Sequence, residues 1–324
     1  MKITFLGTGS GAPSRHRNVS AFALQRPQQS GAWLFDCGEG TQHQILRSEL
    51  RLSQIDRIFI SHMHGDHVFG LPGLLASRSL QAGMQTPVTV YGPPGLHDYL
   101  RGTFEISQSR PAYPLHVVPV TPGLVFEDAR TQVTCAAVSH RTPAFAYAVI
   151  ERDSPGHFDV ARAKELGIPS GPTYGRLKAG EKVTLADGRV IDGAALTGPT
   201  RRGRRLVYSG DTGYTRSMVE LARGASVLIH EATFLDEDAA HADRASHSTA
   251  ASAAKVAKQA GVETLILTHV SARYEGDGNR LADLLAEARA IFPNTILARD
   301  LWSYEVAGGD GSGDLGVEMG GGET

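Results

Sequence analysis

The stretch Ile58-Phe59-Ile60-Ser61-His62-Met63-His64-Gly65-Asp66-His67 places three histidines and an aspartate directly after a short apolar run. The apolar run predicts a buried strand, and the residues behind it, Val68–Ala82, predict a helix. Imidazole and carboxylate are the ligands that zinc and its neighbours prefer. A lone histidine is more often a hydrogen-bonded core residue, but this density at a strand end is typical of a metal site.

Three further predicted strands run into residues of the same kind. The residues that follow these strands are His140 after Val133–Val138, Asp211 after Leu206–Tyr208 and His269 after Thr264–Leu267. Taken singly, each of them could equally be an ordinary surface group. Together with the first cluster they form a set of histidines and aspartates large enough for two metal ions with one carboxylate between them. Two cations roughly 3.5–4 Å apart can lower the pKa of a bridging water and hold an anionic substrate.

Strands and helices alternate along the chain, which predicts an α/β fold built of layers. The predicted strands are Lys2–Leu6, Trp33–Phe35, Arg57–Ile60, Val88–Tyr91, Val133–Val138, Phe145–Ile150, Leu206–Tyr208, Ser226–Ile229, Thr264–Leu267 and Thr295–Leu297. The predicted helices are Val68–Ala82, Thr249–Ala260 and Gly278–Ile291. We expect Ser246 or Ser248 to cap the second helix and Gly261 to end it.

One segment, from Glu151 to about Gly203, interrupts this alternation. It holds a dense run of glycine and proline at 167–172, followed by a hairpin signal at 183–191. We interpret the segment as an insertion that protrudes from the core, with an ordinary long loop as the alternative. The glycine-rich residues 307–324 predict a flexible tail.

The composition is that of a soluble globular chain, with 324 residues, 41% hydrophobic and 20% charged. Because 32 basic residues face 34 acidic ones, a surface that is basic throughout is excluded. The cluster of Arg201, Arg202, Arg204 and Arg205 is a local exception, although such clusters are usually solvated faces. Two cysteines exclude a disulfide framework, and no apolar run approaches the ~20 residues of a membrane span. We therefore expect a cytoplasmic protein with no membrane partner.

The ligand pattern His62-x-His64-x-Asp66-His67, followed in order by the three strand-end residues, resembles the metallo-β-lactamase superfamily. Narrower motifs are similar to the ribonuclease Z family of tRNA 3′-processing endonucleases, in its short bacterial form. Those motifs are Phe5-Leu6-Gly7-Thr8-Gly9 with Pro13-Ser14-Arg15-His16-Arg17-Asn18, Asp36-Cys37-Gly38-Glu39-Gly40-Thr41-Gln42, His230-Glu231-Ala232-Thr233, His247-Ser248-Thr249 and Ala298-Arg299-Asp300. Arg15 stands where the family usually has lysine, which keeps the charge. The resemblance runs from Met1 to about Val306.

This resemblance implies a four-layer αβ/βα sandwich over residues 1–306, with a tRNA-binding arm inserted at about 151–203. It implies a zinc-dependent endoribonuclease that removes the 3′ trailer of precursor tRNA. Hydrolysis would fall just after the discriminator nucleotide and leave a 3′-hydroxyl on the tRNA. The implied cofactors are two Zn²⁺ per subunit, with Mn²⁺ or Fe²⁺ as alternatives, and the implied assembly is a homodimer.

The resemblance also implies roles for single residues. One metal would be held by His62, His64 and His140, the other by Asp66, His67 and His269, with Asp211 bridging them. Asp66 would also accept a proton from the attacking water, and Asp36 would hydrogen-bond a ligand histidine. His247 would donate a proton to the leaving oxygen and Glu231 would orient it, although the sequence also fits a helix-start histidine and a structural acid. Substrate contacts would come from Arg15, Arg17, Gly171, Pro172 and Lys178.

Two other functions compete with this one. The first is a phosphodiesterase or esterase that uses the same metal chemistry on small substrates, which would have no use for the arm. The second is a non-catalytic RNA-binding scaffold with a decayed metal site. Decay is disfavoured because all seven ligand positions carry ligand-type residues.

Overall fold

A computed structural model describes residues 1–80, 86–275 and 280–307, which form two seven-stranded sheets and two short two-stranded ones. The strands in chain order are β1 Lys2–Gly7, β2 Gly9–Ser10, β3 Ala21–Gln25, β4 Ala32–Phe35, β5 Ile55–Phe59, β6 Val88–Gly92, β7 Leu115–Pro119, β8 Gly123–Glu127, β9 Thr131–Ala137, β10 Phe145–Glu151, β11 Lys182–Thr184, β12 Val190–Asp192, β13 Arg205–Tyr208, β14 Val227–Glu231, β15 Thr264–Thr268, β16 Val270–Ser271, β17 Thr295–Leu297 and β18 Ser303–Glu305.

The helices among the described residues are mostly short. They are α1 Thr41–Leu46, α2 Gly65–Val68, α3 Leu71–Leu80, α4 Leu96–Ile106, α5 Val160–Glu165, α6 Pro172–Lys178, α7 Arg216–Ala222, α8 Ala239–Ala245, α9 Ala250–Ala260 and α10 Leu281–Ile291. In the described part of the chain, none of them has the length and apolarity that crossing a bilayer requires.

Each large sheet combines parallel and antiparallel pairs. The first runs β18-β1-β3-β4-β5-β6-β7, and its β4, β5, β6 and β7 are parallel. The second runs β17-β15-β14-β13-β10-β9-β8, and its β13, β14, β15 and β17 are parallel. The carboxyl ends of parallel strands meet at one edge of a sheet, which is where α/β folds place their sites.

The two large sheets pack face to face through aromatic side chains. Phe22 and Phe35 of the first sheet stack with ring centroids 4.8 Å apart, and Tyr208 of the second meets Phe22 edge-on at 5.0 Å. The outer face of the first sheet is covered by α1, α3 and α4, and that of the second by α7, α9 and α10. The order of layers is therefore helices, sheet, sheet, helices, which confirms the predicted αβ/βα sandwich.

The inserted segment packs on itself. Residues Glu151–Arg204 form a compact unit separate from Met1–Ile150 and Arg205–Val306. A small apolar core that includes Phe158, Leu177 and Leu196 holds this unit together. Its β11 and β12 form the expected hairpin. The predicted tail lies outside the described residues except for Ala307.

The predicted helix Val68–Ala82 is wrong in one respect, because two helices, α2 and α3, occupy that stretch. The helix is interrupted between them because the Gly70 backbone packs against the loop that follows β4. A Cβ on Gly70 would lie only 2.0 Å from the Gly38 carbonyl oxygen, and the Gly70 N–H donates to the Cys37 carbonyl at 2.9 Å. The end of the predicted helix, at 81–82, lies outside the described residues.

The predicted N-terminal caps of α9 are also wrong, whereas Gly261 ends this helix as predicted, with a left-handed φ of 63°. Thr249 caps this helix, since its hydroxyl accepts from the Ser252 N–H at 3.1 Å. Ser248 instead donates to the Thr212 carbonyl, and Ser246 has the left-handed φ of 58° that ends α8. The start of the predicted helix Gly278–Ile291 lies outside the described residues, and α10 begins at Leu281.

Candidate metal centre

The candidate ligands follow strand ends in both sheets. β5 ends at Phe59 and leads into His62, whereas β9, β13 and β15 of the other sheet lead into His140, Asp211 and His269. The helix α2 then carries Asp66 and His67 on a single turn. Because the two sheets pack against each other, their strand-end loops bring these side chains together at one edge of the sandwich.

The first group of ligand atoms surrounds His64. The Nδ1 atom of His64 lies 3.0 Å from the Nε2 atoms of both His62 and His140. Asp211 completes the group, with its Oδ2 atom 3.6 Å from His62 Nε2 and 4.0 Å from His140 Nε2. These four residues each offer one ligand atom within 4.8 Å of the others.

The second group shares Asp211 with the first. The Oδ2 atom of Asp211 lies 3.3 Å from the Nε2 atoms of both His67 and His269. Asp66 Oδ2 lies 3.3 Å from His269 Nε2 and 3.6 Å from His67 Nε2. In a tetrahedral site with metal–ligand bonds of about 2.0–2.2 Å, ligand atoms lie about 3.3–3.6 Å apart. The second group matches that spacing, whereas the first spans a wider range, from 3.0 to 4.0 Å. Asp211 belongs to both groups, as a bridging ligand must.

Hydrogen bonds around the site decide which imidazole nitrogens are free to bind a cation. The Nδ1 atoms of His67 and His140 lie 2.7 Å from Asp36 Oδ2 and 2.9 Å from the Ser246 carbonyl oxygen, both of which can only accept. The Nδ1 atoms therefore carry the protons, and the Nε2 lone pairs point inward. This is the tautomer that metal binding by Nε2 requires.

The same assignment holds for two more histidines through hydroxyl groups. Ser61 Oγ donates to Asp36 Oδ2 at 2.8 Å, so it accepts from His62 Nδ1 at 3.0 Å. Thr233 Oγ1 donates to Glu231 Oε2 at 2.6 Å, so it accepts from His269 Nδ1 at 2.9 Å. The Nε2 lone pairs of these four histidines thus converge with the carboxylates of Asp66 and Asp211, and the four ring protons lie on the outward-facing Nδ1 atoms.

Asp211 itself supports a bound cation. Its side chain is buried, and its Oδ1 atom has no hydrogen-bond partner among the described residues. Burial opposes its charged form, but positive charge on the facing histidines, led by His269 and His67, would hold the pKa of its carboxyl well below the usual range, and a cation bound among the same atoms would act in the same direction. An anionic, partly unsatisfied oxygen among imidazole lone pairs is costly unless a cation neutralises it. The residues present therefore fit divalent metal ions.

Asp36 is the centre of the supporting network. It lies fully buried and has the left-handed φ of 55°. Besides His67 and Ser61 Oγ, its carboxylate accepts from the Ser61 N–H at 2.7 Å and from Tyr208 Oη at 2.6 Å. The expected hydrogen bond between Asp36 and a histidine of the set is confirmed, with His67 Nδ1–H as the donor. Ser61 and Tyr208 were not foreseen, although both adjoin strand ends next to predicted ligands.

His247 and Glu231 form a pair at the margin of the ligand set. The Nδ1 atom of His247 lies 2.8 Å from Glu231 Oε1 and 3.9 Å from Asp211 Oδ2. Burial opposes protonation of His247, but the Glu231 carboxylate outweighs it and raises the pKa of His247 to about 9. The structure thus places beside the cavity an imidazole whose protonated form is favoured by a carboxylate.

Glu231 also lies within ligand distance of His269 and His247. Both of its oxygens are already satisfied, since Oε1 also accepts from the Thr212 N–H at 2.8 Å and Oε2 from the Ser248 N–H at 3.0 Å. Because both oxygens of Glu231 already accept hydrogen bonds, this carboxylate holds its neighbours in place and leaves no lone pair directed at a metal.

A cavity of about 480 Å³ opens beside the ligands. The lining residues are Ser10, Gly11, Ala12, Pro13, Val19, Glu39, His64, Gly65, Asp66, Phe69, Arg141, Asp211, His247 and His269. The Gly11 N–H donates to Asp66 Oδ2 at 2.8 Å, so the opening loop of the chain holds this carboxylate in place. The metal centre is therefore open to a substrate on the side of that loop.

The residues expected to contact substrate lie in different surroundings. Arg17 is buried, with its Nε atom 2.9 Å from Glu275 Oε1 and its Nη1 atom 2.7 Å from the Ala298 carbonyl. Burial lowers its pKa against the opposing pull of Glu275 and Asp300. Its guanidinium is thus engaged in contacts within the protein, and a direct contact of Arg17 with substrate stays a prediction. Arg15, by contrast, is exposed.

The other three expected contacts lie in the inserted unit. Gly171 precedes α6, Pro172 begins it and Lys178 ends it. All three are exposed, as a substrate contact requires. The arginine cluster is partly internal, since Arg204 forms a bidentate pair with Glu151 at 2.6 and 2.9 Å.

Comparison with known proteins shows the family to which the chain is similar. Residues 1–113 match the family model "Anti-Pycsar protein Apyc1" and residues 178–270 match "Beta-lactamase superfamily domain". The chain is 56% identical over 307 residues to ribonuclease Z of Trichodesmium erythraeum, covering 94% of this chain and 95% of the relative. It is 54% identical over 308 residues to ribonuclease Z of Brevibacillus brevis, covering 94% and 97%.

Solved structures give the same result. The short form of human tRNase Z superposes with a TM-score of 0.68 at 31% identity, covering 95% of this chain and 100% of the human one. A diphosphatase of the PhnP family shares the fold, with a TM-score of 0.60 at 18% identity over 94% of this chain and 97% of its own. Fold and site thus define a metal-dependent hydrolase of the metallo-β-lactamase class. The chain belongs to the ribonuclease Z family.

Proposed function

We propose that this protein removes the 3′ trailer of precursor tRNA by hydrolysing the phosphodiester after the discriminator nucleotide, which leaves a 3′-hydroxyl on the tRNA. The observation that carries the proposal is the convergence of four oriented imidazoles and two carboxylates, in a chain of this family, beside an open cavity. The relatives named ribonuclease Z support this choice of reaction, and the oriented side chains support a metal-dependent hydrolysis.

The ligand set fits two Zn²⁺ ions per subunit, because imidazole nitrogens outnumber carboxylates. Mn²⁺ and Fe²⁺ are the alternatives. One ion would be held by His62, His64 and His140, the other by Asp66, His67 and His269, and both by Asp211. When bound, such a pair supplies the charge that activates a water and stabilises the negative charge of the transition state.

Asp66 has a second task in this mechanism. Its Oδ2 atom faces both His269 and the cavity, while the Gly11 N–H fixes it in position. The carboxylate is therefore placed to accept the proton that the attacking water loses.

His247 acts at the other end of the reaction. It lines the cavity, and its Nδ1–H is held by Glu231, which leaves Nε2 free to carry a proton to the leaving 3′-oxygen. Glu231 favours the imidazolium and fixes the ring, and the Glu231 oxygens are themselves fixed by the backbone N–H groups of Thr212 and Ser248. Donation by His247 turns a poor alkoxide leaving group into a neutral hydroxyl.

The inserted unit and the opening loop would bind the tRNA. Arg15, Gly171, Pro172 and Lys178 are the residues we assign to this contact, and Arg17 supports it by holding the loop in which Arg15 lies. The separate core of the inserted unit suits a module that recognises a large substrate. We further propose a homodimer in which the arm of one subunit holds tRNA for the site of the other.

The deciding experiment is cleavage of a precursor tRNA by zinc-loaded protein, with Asp66→Ala as the inactive control and a chromogenic phosphodiester in parallel. A single cut after the discriminator, absent from the variant, is the expected result. Turnover of the small diester without a tRNA cut would replace the proposal with a small-molecule phosphodiesterase. Loss of both activities with no bound metal would point to an RNA-binding scaffold.

A further inference from the structure

An exposed phenylalanine lies at the rim of the cavity beside the metal ligands. Phe69 follows α2 directly, and 64% of its surface is exposed. Single exposed apolar residues are common on proteins and need no explanation. Phe69 differs because it is the one phenylalanine, tyrosine or tryptophan among the described residues that line this cavity.

The ring of Phe69 lies against the turn that carries Asp66. A Cβ atom on Gly65 would lie 2.2 Å from Phe69 Cε2 and 2.6 Å from Cδ2 and Cζ, so the ring rests directly on the Gly65 backbone. The Phe69 N–H also donates to the Gly65 carbonyl at 2.9 Å. Gly65 lies between His64 and Asp66, so this contact places the ring next to two candidate metal ligands and leaves most of its surface exposed.

The rest of the cavity rim defines the chemistry that the ring would meet. Arg141 directly follows the ligand His140, is exposed, and is the one lysine or arginine among the described lining residues. A flat apolar face and a guanidinium beside a cation-binding centre suit a ligand that has both a planar ring and a phosphodiester. That combination is a nucleotide of a single strand, whose base stacks on an aromatic side chain.

We propose that Phe69 is the stacking platform for the base of the first trailer nucleotide, the one on the 3′ side of the cut. This inference rests on the proposed function and names the residue that seats its substrate. In an in-line displacement the attacking water and the leaving oxygen lie on opposite sides of the phosphorus. His247 faces the leaving oxygen, which belongs to the discriminator, and Asp66 faces the water.

Phe69 lies on the turn that carries Asp66, since its ring rests on Gly65, the residue between His64 and Asp66. The ring of His247 lies 5.0 Å from that of His140 and 5.4 Å from that of His269. Because we place His247 at the oxygen that leaves with the discriminator, we assign the base of the other nucleotide, the first of the trailer, to Phe69.

The test combines protein and substrate changes. Phe69→Ala should lower kcat/KM for precursor tRNA roughly ten- to hundredfold, as loss of one base–aromatic stack does, and Phe69→Tyr should restore it. With an abasic residue at the first trailer position, wild type and Phe69→Ala should become equal. With an abasic discriminator, the difference between them should persist. Ile106→Ala, at the exposed end of α4, is the control for losing an exposed apolar side chain.

A second readout needs no cleavage. The fluorescence of the tryptophan introduced by Phe69→Trp should be quenched on binding a precursor that cannot be cut, because its scissile P–O3′ bond is replaced by a P–CH₂ bond. The same RNA with an abasic first trailer position should not quench this fluorescence. Equal kcat/KM for wild type and Phe69→Ala on an intact precursor would overturn the inference while leaving the proposed function in place. A difference that disappears with the abasic discriminator would overturn the assignment to the trailer. If wild type fails to cut, the proposed function fails, and absence of quenching then removes the inference as well.

Discussion

At the scale of single residues, the site depends on which nitrogen of each histidine carries a proton. Asp36 and the hydroxyls of Ser61 and Thr233 set that choice before any metal arrives. The Nδ1–H groups of four histidines are held from outside the ligand set, so their Nε2 atoms are presented inward; these are His62, His67, His140 and His269. His64 instead presents its Nδ1 atom. Orientation of this kind raises ligand basicity and spares the site a rearrangement on binding.

Asp36→Asn should weaken zinc binding about 10- to 100-fold, because an amide NH₂ facing the His67 Nδ1–H removes the acceptor that fixes its tautomer. Titration of metal-free protein with zinc against a competing chelator measures the change. Asp243→Asn, on the exposed side of α8, is the matched control. An unaltered zinc affinity in Asp36→Asn would mean that the tautomer is set by another group.

His247→Ala should retain both metals and lose about 10²- to 10⁴-fold in kcat, since it removes a proton donor and no ligand. Metal content by mass spectrometry and turnover on precursor tRNA are measured on the same preparation. His241→Ala serves as the control, because this exposed histidine packs on Phe234 outside the cavity. Loss of metal from His247→Ala would instead assign His247 to binding or folding.

Arg141→Gln should reduce the salt dependence of precursor tRNA binding by about one unit of slope in a log–log plot, which is the effect of one lost phosphate contact. Affinity measured between low and high salt gives the slope. An unchanged slope would mean that Arg141 faces no phosphate in the complex.

At the scale of elements, close contact between backbone segments sets a helix boundary that the periodicity of the sequence does not predict. Gly70 separates α2 from α3 because the Gly38 carbonyl occupies the space of a side chain. This contact joins the loop after β4 to the turn that carries Asp66 and His67. The break in the helix therefore serves the placement of two ligands.

Gly70→Ala should destabilise the protein by about 1–3 kcal/mol, because its Cβ would overlap the Gly38 carbonyl oxygen and force the backbone apart. Urea unfolding of the metal-free protein gives the free energy. In Gly102→Ala, on α4, the new Cβ meets nothing within 4 Å, and this variant should be stabilised by about 0.5–1 kcal/mol. Equal stability of the two variants would contradict the role of Gly70.

Sequence reasoning identified the strand ends whose side chains converge in the structure, because a histidine or aspartate after an apolar run is a local signal. It missed β3, whose residues Ala21–Leu24 are all buried, so that no alternation marks it as a strand. It also missed β7 and β8, which are largely exposed. The network of Asp36 joins residues up to 172 positions apart, and no local pattern contains such a contact.

At the scale of the whole molecule, the inserted unit begins and ends at neighbouring positions of one sheet. Ile150 of β10 pairs with Arg205 of β13 in an antiparallel register. The chain thus leaves the sheet and returns to it one strand away, as a hairpin does. The inserted segment can therefore be replaced by a short turn between Ile150 and Arg205 without interrupting the sheet of the catalytic domain expected over residues 1–306.

Replacing Glu151–Arg204 with Asn-Gly should leave a folded protein, since two residues of this type close an antiparallel hairpin. We expect it to bind metal and hydrolyse a chromogenic phosphodiester while losing precursor tRNA cleavage. Circular dichroism, metal content and both assays are the measurements. Undiminished tRNA cleavage by the folded variant would show that the inserted unit does not bind substrate.

The ligands of the metal centre come from both sheets. His62 and His67 follow β5 in one sheet, whereas Asp211 and His269 follow β13 and β15 in the other. Bound ions would therefore act as cross-links between the halves of the sandwich, in addition to being catalysts. A small slip of one sheet over the other would pull Asp211 away from its partners before either sheet unfolded. A molecule whose sheets have shifted in this way would then lose its catalytic activity before it loses its fold.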